Sequence, residues 1–177
     1  MCNLERFEID FKGLCADDTT VAYHLDNSYF EALEGAEVSK GDVSVAMNIH
    51  RTTDRYFDLA FHISGHITLP CDRCLEDMQL PVDTDARLVV KLGDEYSEDD
   101  DLVTVPESES SLNVAWFIYE FIALAIPIKH VHAPGKCNRA MIEMLDEHSA
   151  TRSSDEDGQQ PIDPRWSELL KLKETKD

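Results

Sequence analysis

The clearest pattern along the chain is a regular alternation of apolar and polar residues, which is typical of strands with one buried face. It recurs between residues 41 and 92, where the apolar positions of the first two strands are Val43, Val45, Met47, Ile49, Phe57, Leu59, Phe61 and Ile63. A polar turn at 51–55 separates these strands, and a returning strand covers 80–92. Because strands joined by short turns pair antiparallel, the pattern predicts an antiparallel sheet. Shorter alternating segments predict two more strands at 5–14 and 19–26.

A strongly apolar segment interrupts this β pattern and predicts a helix. It follows the polar residues 110–113, which can cap a helix, and runs to about Ile126, where Pro127 ends it. It is apolar on nearly every side, so we expect it to be buried against the sheet, with Glu120 finding a partner or a solvent-exposed edge. The predicted fold class is α+β, an antiparallel β-sheet packed against one buried helix, with a barrel-like form of the sheet left open.

Two polar segments divide the rest of the chain. Residues 94–109 contain eight acidic and no basic residues, so we expect an exposed, flexible acidic loop at 94–110. Residues 149–162 have little apolar content and predict a disordered linker. We therefore expect a single domain over 1–148, which ends in a short amphipathic helix, and a separate C-terminal helix over 163–177.

The C-terminal segment begins with a clear helix start. Asp163 is a preferred N-cap residue, and Pro164 occupies the first helical position. The face that carries Trp166 and Leu169 can dock onto another molecule, so this helix is predicted to be a docking element. The predicted partner-binding residues are Arg73, Asp163, Arg165, Trp166 and Leu169.

The charge of the chain limits its partners. It has 36 acidic and 16 basic residues, a net charge of −20. Such a charge repels phosphate backbones and membrane surfaces, so we expect neither membrane binding nor direct RNA binding by the isolated protein. The acidic surface either keeps the protein soluble or attracts a basic partner such as a ribosomal protein, and the sign of the charge does not choose between the two.

The cysteines and the apolar segments indicate a cytoplasmic protein. Five cysteines, two of them in a CxxC motif, are typical of a reduced intracellular protein. The N-terminal residues lack the basic and apolar regions of a signal peptide. The longest apolar segment has 13 residues, from Val114 to Ile126, and a membrane-spanning helix needs about 20.

The most specific chemistry lies in the CxxC motif of Cys71 and Cys74, which has the spacing of half a tetrahedral zinc site. The second half is predicted to come from His132 and Cys137, with His130 beside them. Two alternatives remain open, a metal-free loop shaped by reduced thiols and a redox pair. A thioredoxin-like redox pair would sit at the start of a helix, whereas this motif lies between predicted strands. The chain shows no nucleophile with a nearby base and no phosphate-binding loop, so no enzyme is predicted.

Three motifs occur in order from the middle of the chain to its end: Gly65-x5-Cys71-x2-Cys74-Leu75, then Leu124-Ala125-Ile126-Pro127-Ile128-Lys129, then Asp163-Pro164-Arg165-x3-Leu169-x2-Leu172. Together they resemble the YceD family, the large ribosomal RNA subunit accumulation proteins. The resemblance begins at about residue 40 and extends to the C-terminus.

The resemblance implies a non-enzymatic role in 23S rRNA accumulation and in assembly of the large ribosomal subunit. The implied partner is a basic ribosomal protein or a large-subunit precursor particle, and the alternative is a small zinc-binding or redox protein. Many family members carry several further cysteines after the helix that ends in proline. Here that region contains His130, His132 and Cys137 instead, so a metal site has either been remodelled with histidine or lost.

Overall fold

A computed structural model describes residues 4–14, 16–33, 36–99 and 101–149 of the chain. Its strands are β1 Glu8–Asp10, β2 Asp18–Leu25, β3 Lys40–Thr53, β4 Tyr56–Pro70, β5 Asp77–Gly93, β6 Ser97–Asp99, β7 Leu102–Pro106 and β8 Ser111–Asn113. The main sheet has six strands in the order β2-β3-β4-β5-β7-β6, and a second sheet pairs β1 with β8. A 3₁₀ turn at Leu4–Phe7 precedes the helices α1 Asn27–Ala32, α2 Ala115–Leu124 and α3 Arg139–His148.

Strands β3, β4 and β5 form the centre of the sheet, and their antiparallel pairing confirms the predicted hairpins. The predicted alternation is also observed, because the apolar positions of β3 and β4 are buried while the residues between them are mostly exposed or half-buried. Pairing of β4 with β5 runs without a break from Tyr56–Lys91 to Pro70–Asp77. This long hairpin carries the CxxC motif at its tip.

The hydrophobic core lies on one face of the sheet. Tyr29 of α1 contacts Phe7, with ring centroids 5.2 Å apart, and its hydroxyl donates to the carbonyl of Ala115. Phe121 of α2 contacts Phe61 of β4 at 5.2 Å. Each buried aromatic or aliphatic side chain contributes about 1.5–3 kcal/mol through loss of apolar surface to water. The core therefore fixes α2 against β4, and it fixes α1 against the 3₁₀ turn and the start of α2.

Three features of the fold differ from the sequence-based expectations. The main sheet is open and does not close into a barrel among the described residues. The acidic segment 94–110 is not a simple loop, because β6 and β7 lie within it. Val103 and Val105 are fully or almost fully buried in β7, and their burial outweighs the density of acidic residues around them. β7 pairs parallel with β5 because β6, which lies between them in sequence, runs in the opposite direction at the edge of the sheet and pairs antiparallel with β7.

Two predicted elements are shorter than expected. The strand predicted at 5–14 is a 3₁₀ turn followed by the three residues of β1, which pair with β8 rather than with β2. The helix predicted to reach Ile126 is α2, which ends at Leu124 and buries only part of its surface. Trp116 is 42% exposed, and its indole N–H donates to Glu120 at 2.7 Å, so this carboxylate has both a partner and a solvent-exposed edge.

The predictions for the end of the chain fall largely outside the described residues. α3 at Arg139–His148 matches the predicted amphipathic helix. A compact unit ends at Ile142, and the described part of the second unit, 143–149, contains the C-terminal part of this helix. The predicted linker and the predicted docking helix, with Asp163, Arg165, Trp166 and Leu169, lie outside the described residues. In the described part of the chain, no helix is long and apolar enough to cross a membrane.

Gly65 shows how tightly β3 and β4 approach each other. Its φ of +155° is a conformation that side chains rarely adopt, and a Cβ there would lie 2.3 Å from the carbonyl oxygen of Asp42. Only glycine fits this position without moving the backbone of β3.

We therefore expect Gly65→Ala to lower the free energy of unfolding by at least about 2 kcal/mol, because it adds a backbone clash to an unfavourable conformation. Gly135→Ala is the matched control, since Gly135 also has a positive φ of +78° but has no atom within 4 Å of an added Cβ. It should cost about 1 kcal/mol from the conformation alone. Urea unfolding of both variants measures the difference, and equal losses would contradict the clash.

Candidate metal centre

The CxxC motif lies in a closed turn at the tip of the β4–β5 hairpin, which we call the knuckle (residues 71–76). The N–H of Cys71 donates to the carbonyl of Glu76, and the N–H of Leu75 donates to the carbonyl of Cys71, each at 2.9 Å. β4 ends at Pro70, directly before the knuckle, as the missing N–H of proline predicts. The backbone thus turns sharply enough to point both thiols to one side.

The knuckle is joined to the connection between α2 and α3, which we call the α2–α3 loop (residues 125–138). The N–H of Asp72 donates to the carbonyl of His130 at 3.0 Å, and the N–H of His130 donates to the Asp72 carboxylate at 2.7 Å. Farther along, the side-chain amide of Asn138 donates to Glu76 at 2.6 Å. These hydrogen bonds hold together two segments about 60 residues apart in sequence.

Four side chains converge between the knuckle and the α2–α3 loop. They are the four residues that the sequence predicts as metal ligands. The ligand atoms of Cys71, Cys74, His132 and Cys137 all lie within 4.8 Å of one another. The sulfurs of Cys71 and Cys137 are 4.0 Å apart, and the Cys74 sulfur is 3.4 Å from Nδ1 of His132. Cys71 and Cys74 are buried, and the other two are half-buried.

The spacing of these atoms fits a tetrahedral metal ion. With zinc–sulfur bonds of about 2.3 Å and zinc–nitrogen bonds of about 2.0 Å, neighbouring ligand atoms are separated by about 3.5–3.8 Å. The measured separations of 4.0 Å and 3.4 Å lie close to these values. A disulfide would instead require sulfurs about 2.05 Å apart. The group can therefore hold a metal ion with three sulfur ligands and one nitrogen ligand.

Backbone N–H groups favour the thiolate form of the knuckle cysteines. Burial opposes ionisation of Cys71, but hydrogen bonds from the N–H groups of Arg73, Cys74 and His132 outweigh it and lower the pKa of Cys71 to about 6. The N–H of Asn138 lowers the pKa of Cys74 in the same way. Thiolates are the forms that bind zinc.

The same cluster disfavours ionisation of its third cysteine when no cation is present. Burial, together with the neighbouring Cys71 and Cys74, raises the pKa of Cys137 to about 11. Hydrogen bonds to these two sulfurs raise the pKa of His132. A divalent cation would remove this repulsion, so the cluster is chemically suited to release protons when it binds a metal.

Two other histidines, His130 and His62, have partners outside the cluster. The His130 ring lies 3.4 Å from the Asp72 carboxylate and 3.3 Å from the carbonyl of Pro127, and it is not one of the four converging side chains. His62, on β4, lies 2.8 Å from Asp85 on an exposed face, as expected for a solvent-facing histidine. His130 therefore positions the α2–α3 loop against the knuckle.

Sequence reasoning missed the polar residues that support the cluster. Asn138 caps α3, since its side-chain oxygen accepts from the N–H of Met141 at 3.3 Å, and it also bonds Glu76. An asparagine directly before an amphipathic helix is a recognisable N-cap signal, but its second contact depends on the tertiary fold. Arg73, a predicted partner-binding residue, is exposed beside the cluster.

Comparison with known families matches residues 59–173 to the family described as Large ribosomal RNA subunit accumulation protein YceD. The matched span contains the knuckle and the α2–α3 loop, and it covers well over half of the 177 residues. No curated protein and no solved structure matches the chain. The chain therefore belongs to the YceD family.

Proposed function

We propose that this protein is a non-enzymatic, cytoplasmic ribosome-biogenesis factor that supports 23S rRNA accumulation. It would act by binding a basic ribosomal protein or a precursor particle of the large subunit. The observation that carries this proposal is the family match over residues 59–173, whose description names accumulation of large-subunit ribosomal RNA.

The charge of the protein supports a basic partner. The net charge is −20, and the edge strand β6 exposes all three of its residues, including Glu98 and Asp99. An acidic edge attracts a basic partner over long range and raises the rate of encounter, and added salt weakens this effect. The unpaired backbone of an edge strand also offers hydrogen bonds to a bound segment.

We further propose that the cluster of Cys71, Cys74, His132 and Cys137 binds Zn²⁺ in a structural role. Four protein ligands fill a tetrahedral coordination shell, whereas catalytic zinc sites keep one position for water or substrate. The ion would link the knuckle to the α2–α3 loop, and binding energy at such a site contributes to folding. A redox role for Cys71 and Cys74 is the competing reading, and the two differ in whether the protein carries metal.

Protein purified without chelator is therefore expected to contain one equivalent of zinc, and the double variant Cys71→Ser, Cys74→Ser should contain none. Serine hydroxyls are poor zinc ligands, so half of the coordination shell is lost. Inductively coupled plasma mass spectrometry gives the stoichiometry. His62→Ala is the matched control, because His62 bonds Asp85 outside the cluster. A metal-free wild-type protein would refute the zinc site and leave the redox reading in place.

The cellular role has its own test. Deletion of the gene should lower the ratio of 23S to 16S rRNA, and affinity purification from growing cells at low salt should recover a large-subunit ribosomal protein or a precursor particle. Recovery should fall at moderate salt, because screening weakens contacts between exposed charges. An unchanged rRNA ratio in the deletion strain would contradict the proposed role, whatever protein co-purifies.

A further inference from the structure

A cleft opens beside the cysteine–histidine cluster and carries arginines on its wall. Its volume is about 330 Å³, and it is lined by Arg73, Gly135, Cys137, Arg139 and Ile142. Small-molecule sites typically have volumes of about 300–1,000 Å³, with mostly apolar walls and a few polar groups. Here the two guanidinium groups are the charged groups of an otherwise apolar lining.

Three basic residues at this end of the β4–β5 hairpin, Arg73, Lys129 and Lys136, differ from the other described basic residues in their partners. Elsewhere each described lysine or arginine is engaged: Arg6 by the carbonyl of His24, Lys12 by that of Glu107, Lys40 by Asp77, Arg51 by the carbonyl of Leu14, Arg55 by Glu107, Arg87 by Asp58 and Lys91 by the ring of Tyr56. Arg73, Lys129 and Lys136 form no ion pair with any carboxylate in the described ranges. Three cations are thus available at one end of the hairpin.

The local charge at this end has the opposite sign to that of the whole protein. The knuckle together with 127–139 contains four basic residues, Arg73, Lys129, Lys136 and Arg139, against two acidic ones. Both acids are already engaged, Asp72 by His130 and Glu76 by Asn138. One Zn²⁺ with three thiolates would add a single negative charge and leave the region positive. These two segments are therefore positively charged within a protein whose net charge is −20, and the nearest acids along the chain beyond them are Asp77 and Glu143.

We propose that this cleft binds an unstacked nucleotide of single-stranded RNA, with its phosphates on the surrounding lysines and arginines. Arginine suits this ligand because its planar guanidinium stacks on a base and also pairs with phosphate oxygens. The apolar lining of Ile142 and Gly135 accommodates the flat face of a base. Leu75, 68% exposed, and Ile128, fully exposed, add apolar side chains to the surfaces of the knuckle and the α2–α3 loop.

This inference rests on the proposed role in ribosome biogenesis and adds a second contact to it. The acidic edge of the sheet would face the basic protein, and the cleft would face ribosomal RNA of the same precursor particle. The net charge of −20 argues against RNA binding by the surface as a whole. Dissolved salt limits this repulsion to short range, because the Debye length is about 8 Å at physiological ionic strength. Acidic residues farther than this from the cleft therefore have little effect on a phosphate bound there. A phosphate seated in the cleft is affected mainly by the cations that line it.

The test is a fluorescence-anisotropy titration of the full-length protein, purified without chelator, with a labelled single-stranded RNA oligonucleotide at several salt concentrations. We expect saturable binding that Arg73→Glu with Arg139→Glu weakens at least tenfold. The matched control is Arg55→Glu with Lys91→Glu, which makes the same change in net charge near the opposite end of the β4–β5 hairpin, where Lys91 pairs with Tyr56. It should weaken binding less than threefold.

A second pair of variants tests the role of the planar groups. Arg73→Lys with Arg139→Lys keeps the charge, so the salt dependence should be unchanged, while the affinity should fall several-fold because the stacking faces are lost. The lysine pair also serves as the test if the glutamate pair fails to fold. Thermal unfolding and zinc content of the glutamate pair would show whether it folds. Inorganic polyphosphate, an anion without bases, should compete less well than RNA per phosphate.

Three results would overturn the proposal: no binding by the wild-type protein, equal weakening by the control pair, or equal competition by polyphosphate. These results separate the cleft from the cellular role. If the purified protein binds no RNA but the deletion strain still loses 23S rRNA, the proposed function stands without this contact. If RNA binding is seen and the rRNA ratio is unchanged, the cleft stands and the cellular role fails.

Discussion

The arrangement of three thiols and one imidazole within 4.8 Å is the constraint on which the functional end of this protein depends. Backbone N–H groups favour the ionised forms of Cys71 and Cys74, whereas burial, together with these two sulfurs, makes ionisation of Cys137 unfavourable. The zinc ion proposed above would balance these opposed tendencies, because it lies among its ligands as a cation. It would then link the knuckle and the α2–α3 loop through their side chains, in addition to the backbone hydrogen bonds.

The sheet supplies the geometry that this cluster needs. The β4–β5 hairpin pairs without interruption up to Pro70, so the position of the knuckle is set by a rigid ladder. Gly65 allows β3 to lie close against that ladder, six residues before Cys71. On the other side, the contact of Phe121 with Phe61 fixes α2, and thus the start of the α2–α3 loop. The four converging side chains lie in the knuckle and the α2–α3 loop, and the rigid elements that flank these two segments help to keep their mutual geometry.

The sequence allowed the central hairpins and the four converging residues to be predicted, and each for a local reason. Period-two alternation marks β3 and β4, and the spacing of Cys71 and Cys74 suggests half of a metal site. The position of β7 was not predictable, because the burial of Val103 and Val105 depends on the neighbouring β5, while the eight nearby acids suggest a loop. The cleft was also not predicted, because Arg73 and Arg139 line the same cleft only when the α2–α3 loop is folded onto the knuckle.

Net charge and local charge control different steps of binding. The charge of −20 acts within about one Debye length of the protein surface, about 8 Å, and it favours basic partners in the last stage of encounter. Contacts form at about 3–4 Å, which is half a Debye length or less, and at this distance the charges of the nearest side chains determine the electrostatic energy. A ribosomal precursor presents both basic protein and phosphate, so a protein that docks on it benefits from surfaces of both signs. In the proposed complex, the acidic edge at β6 and the basic cleft at the knuckle would be complementary parts of one binding mode, because each would repel the ligand of the other and so fix the orientation of the complex.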